Sequence, residues 1–137
     1  MGIVHAEIEL ANSARNDLGS ITVNALVDSG SMWLVIPQHV ANQLELEELE
    51  QREVTLADGA RKLVPYVGPV RVRFGKRNAF TGALIMGDEP LLGAIPMEDM
   101  DVIIHPLHRK LVPNPENPNI PGGMAVGVKH GRKGNNA

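Results

Sequence analysis

The chain of 137 residues contains no cysteine. That excludes disulfides, thiolate nucleophiles and Cys-ligated zinc, and it fits a cytoplasmic protein. Aromatic residues are also scarce, at 3%: one Trp, one Tyr and two Phe. The core must therefore rest on Val, Ile, Leu, Ala and Met, and base stacking is poorly provided for. Charge of one sign does not dominate, because 13 basic residues face 16 acidic ones. No global basic field points to nucleic acid. Long apolar runs are missing as well, so nothing reaches the length of a bilayer span. The opening MGIVHAEIEL carries His5, Glu7 and Glu9 where a signal peptide needs an uninterrupted apolar core, and it lacks the Ser or Thr that favours myristoylation. The expectation is one soluble, cytoplasmic domain, with neither a membrane nor a nucleic-acid partner.

The hydrophobic 43% of the residues is arranged mostly at the period of a strand. Val4, Ala6, Ile8 and Leu10 alternate with polar residues, the polar turn NSARNDLGS follows, and ITVNALV (21–27) makes a second strand and a hairpin. WLVI (33–36) is a short buried strand, and Pro37 fits the first turn of a helix over 38–44. The acidic ELEELEQRE (45–53) reads as a solvated connection. Asp58-Gly59 in EVTLADGARKLV is a two-residue hairpin signal. PVRVRF (69–74), AFTGALIM (79–86), DVIIHP (101–106) and KLV (110–112) read as strands, LLG (91–93) as a brief apolar run, and 95–100 as one or two helical turns. From Pro113, PNPENPNIPGG cannot hold a ladder, and KHGRKGNNA is polar. The expected organisation is a mostly β domain over 1–112, with a Pro/Gly-rich flexible tail over 113–137.

One acidic residue interrupts the apolar stretch ALVDSGSMWLVI (25–36). A lone carboxylate beside such neighbours is costly to bury unless it is protonated, paired or hydrogen-bonded. Backbone N–H groups in a tight loop can hold Asp28. Gly30 permits either a close backbone approach or a positive φ, and Ser29 can fix the loop through its hydroxyl. On the tripeptide alone, Asp28 reads equally as the cap of a turn.

Asp-Ser-Gly between apolar strands, followed by a hairpin, Leu91-Leu92-Gly93 and a short helix, resembles the retropepsin family of aspartic proteases over roughly residues 3–112. The resemblance implies a closed, barrel-like, mostly β fold of short strands with one or two short helices, active as a two-fold homodimer. It implies that Asp28 is catalytic, that Ser29 and Gly30 support its loop, and that Asp58 and Gly59 belong to a flap. Gly93 is expected beneath the catalytic loop, and Ser31, Met32, Trp33, Val64, Leu92 and Gly93 are candidates for the substrate pocket. Such enzymes need two carboxylates sharing a proton, and the sequence holds only one Asp-Ser-Gly. The second Asp28 is therefore expected from a second copy of the chain. The implied activity is hydrolysis of peptide bonds in a peptide or protein substrate, with no metal or organic cofactor. Ser31-Met32-Trp33 replaces the family's common Ala-Asp-Asp, and Ala94 stands where an Arg often braces the dimer. Specificity therefore does not carry over.

Two other readings stay open. One is the same dimer holding an extended segment of a partner without cutting it; the other is a structural domain acting through its tail. Serine hydrolysis lacks the Gly-x-Ser-x-Gly elbow. His105 and His108 lack a third ligand for zinc. Asp88-Glu89 and Glu98-Asp99 lack calcium-loop spacing and read as solvated charges.

Overall fold

The computed structural model describes residues 2–125. Strand β1 (Val4–Asn12) buries Val4, Ala6, Ile8 and Leu10 and leaves His5 and Glu7 in solvent, as its period of two requires. It pairs antiparallel with β2 (Ser20–Val27), with Val4 opposite Val27, across a turn containing one 3-10 turn over Asn16–Leu18. Strand β3 (Leu34–Ile36) leads into helix α1 (Gln38–Gln43), with Pro37 capping it one position before the expected first turn. Strands β4 (Glu47–Thr55), β5 (Arg61–Phe74) and β6 (Arg77–Ile85) form a meander. Then follow β7 (Leu91–Leu92), helix α2 (Ala94–Met100), and the antiparallel pair β8 (Val102–Ile104) and β9 (Leu111–Pro113).

The main sheet runs β1-β2-β7-β3-β6-β5-β4, and β1 also pairs with β5. Six strands thus close into a barrel, and β4 remains outside it on β5. Closure removes sheet edges and turns one face of every barrel strand inward. The inside is aliphatic, as the shortage of aromatics requires: Leu10, Leu34, Ile36, Leu92 and Met100 have no exposed area. Each such side chain contributes roughly 2 kcal/mol by leaving water. The expected closed, mostly β architecture with two short helices is the one found.

Two expectations are corrected. The acidic 45–53 segment is not a loop, because most of it is strand β4, paired with β5 from Glu47 to Thr55. Its burial pattern is exposed throughout except Arg52 and Val54. A two-stranded arm with water on both faces needs no apolar alternation, so its period was hidden under glutamates. The arm that follows Asp58-Gly59 and the strand at 69–74 are likewise parts of one 14-residue strand, β5, whose register shifts between Val67 and Val70, where Pro69 stands.

Nor does the chain leave the domain at residue 113. Asp101, in left-handed conformation at φ 55, ends α2 and collects the following segment. Its carboxylate accepts from Asn114 Nδ2 at 3.0 Å, Asn117 Nδ2 at 2.7 Å and the Gly122 N–H at 2.8 Å. Arg77, at the start of β6, is 3% exposed. Its guanidinium donates to the carbonyls of Met100 at 3.2 Å and Asp101 at 3.0 Å, and also to that of Asn117. The final part of the expected tail, 126–137, lies outside the described residues.

This knot makes a stability prediction. The Gly122 N–H, then the Asn114 and Asn117 amides, then the Arg77 charge hold the Asp101 carboxyl below its ordinary value of 3.8. A carboxylate depressed in the folded state contributes stability that is complete above its unfolded value and is lost as pH falls through the folded one. Urea midpoints measured downward from that ordinary value should therefore fall more steeply for wild type than for Asp101→Asn. Arg77→Met strands three carbonyls and should cost on the order of 3 kcal/mol at neutral pH.

Candidate active site

Asp28 follows β2 directly and opens a tight loop closed by the Ser31 N–H donating to the Asp28 carbonyl at 3.1 Å. The loop is sewn to the segment around β7 on both sides. The Leu26 and Asp28 N–H groups donate to the carbonyls of Pro90 at 2.9 Å and Leu92 at 3.0 Å. On the return, the Ala94 and Ile95 N–H groups donate to the carbonyls of Ser31 at 2.7 Å and Met32 at 2.8 Å. Gly93 lies where these two sets meet. A Cβ there would stand 2.4 Å from the Trp33 carbonyl oxygen and 2.8 Å from both Met32 C and the Ser31 carbonyl oxygen. Only glycine allows so close an approach of two backbones.

The carboxylate is held at both oxygens. The Gly30 N–H donates to Oδ1 at 2.9 Å, and the Ser31 hydroxyl donates to Oδ2 at 3.2 Å. Gly30 serves by closeness: a Cβ there would crowd Asp28 Oδ1 at 3.2 Å. Ser29, expected to fix the loop, has no side-chain hydrogen bond among the described residues. Ser31, three residues from the carboxylate, does that work instead. Asp28 is also exposed in the single chain, although its sequence neighbours are apolar. The strands flanking it point inward, while the loop itself stands at the surface.

The hairpin of β4 and β5 projects over this region. Its tip is not the two-residue turn that Asp58-Gly59 signals. The Gly59 N–H donates to the Leu56 carbonyl at 2.9 Å, the Leu56 N–H donates to the Ala60 carbonyl at 2.8 Å, and Gly59 has φ +87. This is a three-residue loop whose glycine takes the left-handed bulge position. Asp58 Oδ1 accepts the Ala60 N–H at 2.9 Å and stiffens it. Lower down, Tyr66 of β5 lies across Gly82, whose N–H donates to its hydroxyl at 3.2 Å. The Arg52 guanidinium sits 3.7 Å from the Tyr66 ring centre and 6.0 Å from that of Trp33. The base of the hairpin is thereby tied to the strand that follows the Asp28 loop.

Between hairpin and barrel lies a cleft of about 700 Å³. Ser31, Met32 and Trp33 line it, and the hairpin contributes residues 53–57. Leu92 and Val64 do not: they are 0% and 2% exposed and belong to the packed interior. Leu91, one residue away and facing oppositely, lines the cleft instead. Gly93 seats the loop and is not part of the lining, and the hairpin tip, Asp58 and Gly59, lies beyond it. The charged lining residues are Glu53, Asp88 and Glu89, read from sequence as solvated. Their acidity gave no local signal, since only the approach of the β6–β7 turn to the hairpin brings them together.

Asp28 itself borders a second groove of about 590 Å³, lined by Ile3, Val4, Leu26, Ile104, Pro106 and Arg109 among others. Among the described residues, no other carboxylate lines it. His105 and His108 stack with ring centres 4.5 Å apart, and His105 Nδ1 accepts the N–H groups of Leu107 and His108. Among the described residues, no cluster of three or more His, Cys, Asp or Glu side chains is arranged to hold a metal ion. No helix among them is long and apolar enough to cross a membrane.

The family described as aspartyl protease matches residues 14–114, a span that includes Asp28, the β4–β5 hairpin and Gly93. The chain belongs to the aspartyl protease family. Among solved structures, the EIAV protease complexed with the inhibitor HBY-793 aligns with 69% of this chain and 85% of its own length, at 21% identity and a TM-score of 0.47. No curated protein matches the chain.

The seam at Gly93 predicts a ranking. Gly93→Ala should destabilise the fold by about 2–3 kcal/mol, because three backbone atoms must move. Gly30→Ala, which meets only the end of the Asp28 side chain, should cost about 1 kcal/mol or less. Urea denaturation of the two variants checks this, and equal midpoints would show that the seam is slack.

Proposed function

We propose that this chain is an aspartic endopeptidase that works as a homodimer, hydrolysing peptide bonds through Asp28 of each of two subunits. The observation that carries this reading is the exposed Asp28 carboxylate. Its loop is held by Gly30 and Ser31, and two grooves flank it: the one that Asp28 borders and another lined by Ser29, Met97, Glu98, Val102 and Ile104 among others. A two-fold axis beside this loop would bring the two carboxylates together and cover the grooves.

Two carboxylates so placed share one proton, because adjacent like charges do not both ionise cheaply. The ionised one takes a proton from water, and the resulting hydroxide oxygen bonds to the carbonyl carbon of the peptide. The protonated one donates to the carbonyl oxygen. Collapse of the tetrahedral intermediate breaks the C–N bond, and the amine leaves with a proton from the dyad. The hairpin carrying Asp58 and Gly59 closes over an extended peptide and excludes water. Met32, Trp33, Val54, Leu56 and Leu91 favour apolar side chains in the cleft, and the absence of cysteine fits work in the cytoplasm. No metal or organic cofactor enters this reaction.

One observation favours a second reading. The cleft lining includes Ser31, Met32 and Trp33 but not Asp28, which fits a dimer that holds an extended segment without cutting it.

A diverse peptide mixture incubated with the protein from acidic to neutral pH separates the two. Under the first reading, wild type cleaves, Asp28→Asn lowers kcat/KM by roughly 1000-fold or more, and specific activity falls on dilution as dimers dissociate. If wild type and Asp28→Asn are equally inert while both remain dimeric, the catalytic reading fails. Peptide capture that survives Asp28→Ala then establishes the second.

A further inference from the structure

A fourth recess, of about 280 Å³, opens where the end of β1 meets β5 and β6. None of its lining residues borders the cleft or the grooves beside Asp28. Its polar lining is Asn12, Ser13, Arg15, Asn16 and Arg71, with Phe80 at the edge. The alternation that buries Val70 and Val72 turns Arg71 outward, and the sheet register sets it between Ala11 of β1 and Phe80 of β6. The Arg71 Nε is buried there without a hydrogen-bond partner.

The rest of the lining divides into committed and uncommitted groups. Arg15 is committed: its Nε and Nη2 donate to Asp17 at 2.9 and 2.8 Å, and its Nη1 donates to Glu45 at 3.2 Å. Asn12 is committed too, donating to the carbonyls of Leu44 and Glu45 and accepting the Ala14 N–H. Among the described residues, the Arg71 side chain makes no ion pair or hydrogen bond, and the Ser13 hydroxyl and Asn16 side-chain amide have no partner. The recess thus holds one unengaged guanidinium with a buried donor, beside two unengaged neutral polar groups. A buried donor left unpaired is costly. The planar fork of a guanidinium matches two oxygens of one carboxylate or phosphate group.

We propose that this recess binds a small ligand through a carboxylate or phosphate group seated on Arg71. Ser13 and Asn16 complete the contacts to the oxygens, and the exposed ring of Phe80 covers the remainder of the ligand. The site is separate from the peptidase reading and stands or falls without it.

Titrating the full chain with inorganic phosphate and, separately, with acetate tests this, with chloride at matched ionic strength as the baseline. The expected result is saturable movement of the Ser13, Asn16 and Gly19 amide resonances and a rise in Tm of a few degrees with at least one oxyanion. The tighter of the two names the group. Arg71→Met should abolish both effects, and Arg71→Lys, which keeps the charge but loses the fork, should weaken them several-fold. No saturable movement in wild type, equal movement with chloride, or full retention in Arg71→Lys would overturn the proposal. The Lys variant keeps the test decisive should Arg71→Met fail to fold.

Discussion

The close contact between the Asp28 loop and the backbone around Gly93 is the constraint on which the rest of this structure depends. Four backbone hydrogen bonds cross it, and the missing Cβ of Gly93 is what allows them. Through them β7 becomes a bridge between β2 and β3, which pair with it on either side. Without that bridge the barrel has a gap at the place where the acidic side chain emerges. The loop is therefore positioned by backbone geometry, which neighbouring side chains cannot easily shift.

Strand β5 extends the same economy to the hairpin. Its first half holds β4 out over the barrel, and its second half closes the barrel against β1. The register shift between Val67 and Val70 separates the two tasks. Tyr66, Gly82 and Arg52 sit just before that shift and tie the hairpin base to the barrel wall near Trp33. Among the described residues, the tip has no such tie. On the opposite end of the chain, Arg77 and Asp101 draw residues 114–122 against the domain, so the Pro/Gly-rich segment adds to the body of the protein.

Much of the fold was legible because strand periodicity is local. Val4 to Leu10, Val70 to Phe74 and the apolar runs beside Asp28 announce inward and outward faces within a few residues. Strand β4 was not legible, since its neighbours impose no dry face on it. The site was legible in part. The Gly30 N–H meets the Asp28 carboxylate, and Gly93 lies against the loop that carries it. Ser31 and not Ser29 reaches the carboxylate, because which hydroxyl does so depends on how the loop turns. Leu92 and Leu91 exchanged faces for a similar reason: a two-residue strand has too few positions to reveal its own alternation.

The sequence by itself determined that the chain carries one Asp-Ser-Gly, an aliphatic core and no thiol chemistry, since composition and short motifs need no partner to be read. It also determined most strands, because backbone preference and side-chain period act between near neighbours. Only the tertiary structure decided that Asp28 stands exposed, that Glu53, Asp88 and Glu89 share a cleft, that Arg77 is buried under Asp101 and Asn117, and that Arg71 is left unengaged. Each of those facts depends on segments tens of residues apart meeting in space. Hydrogen bonding and burial are set by that meeting, and no local pattern encodes it.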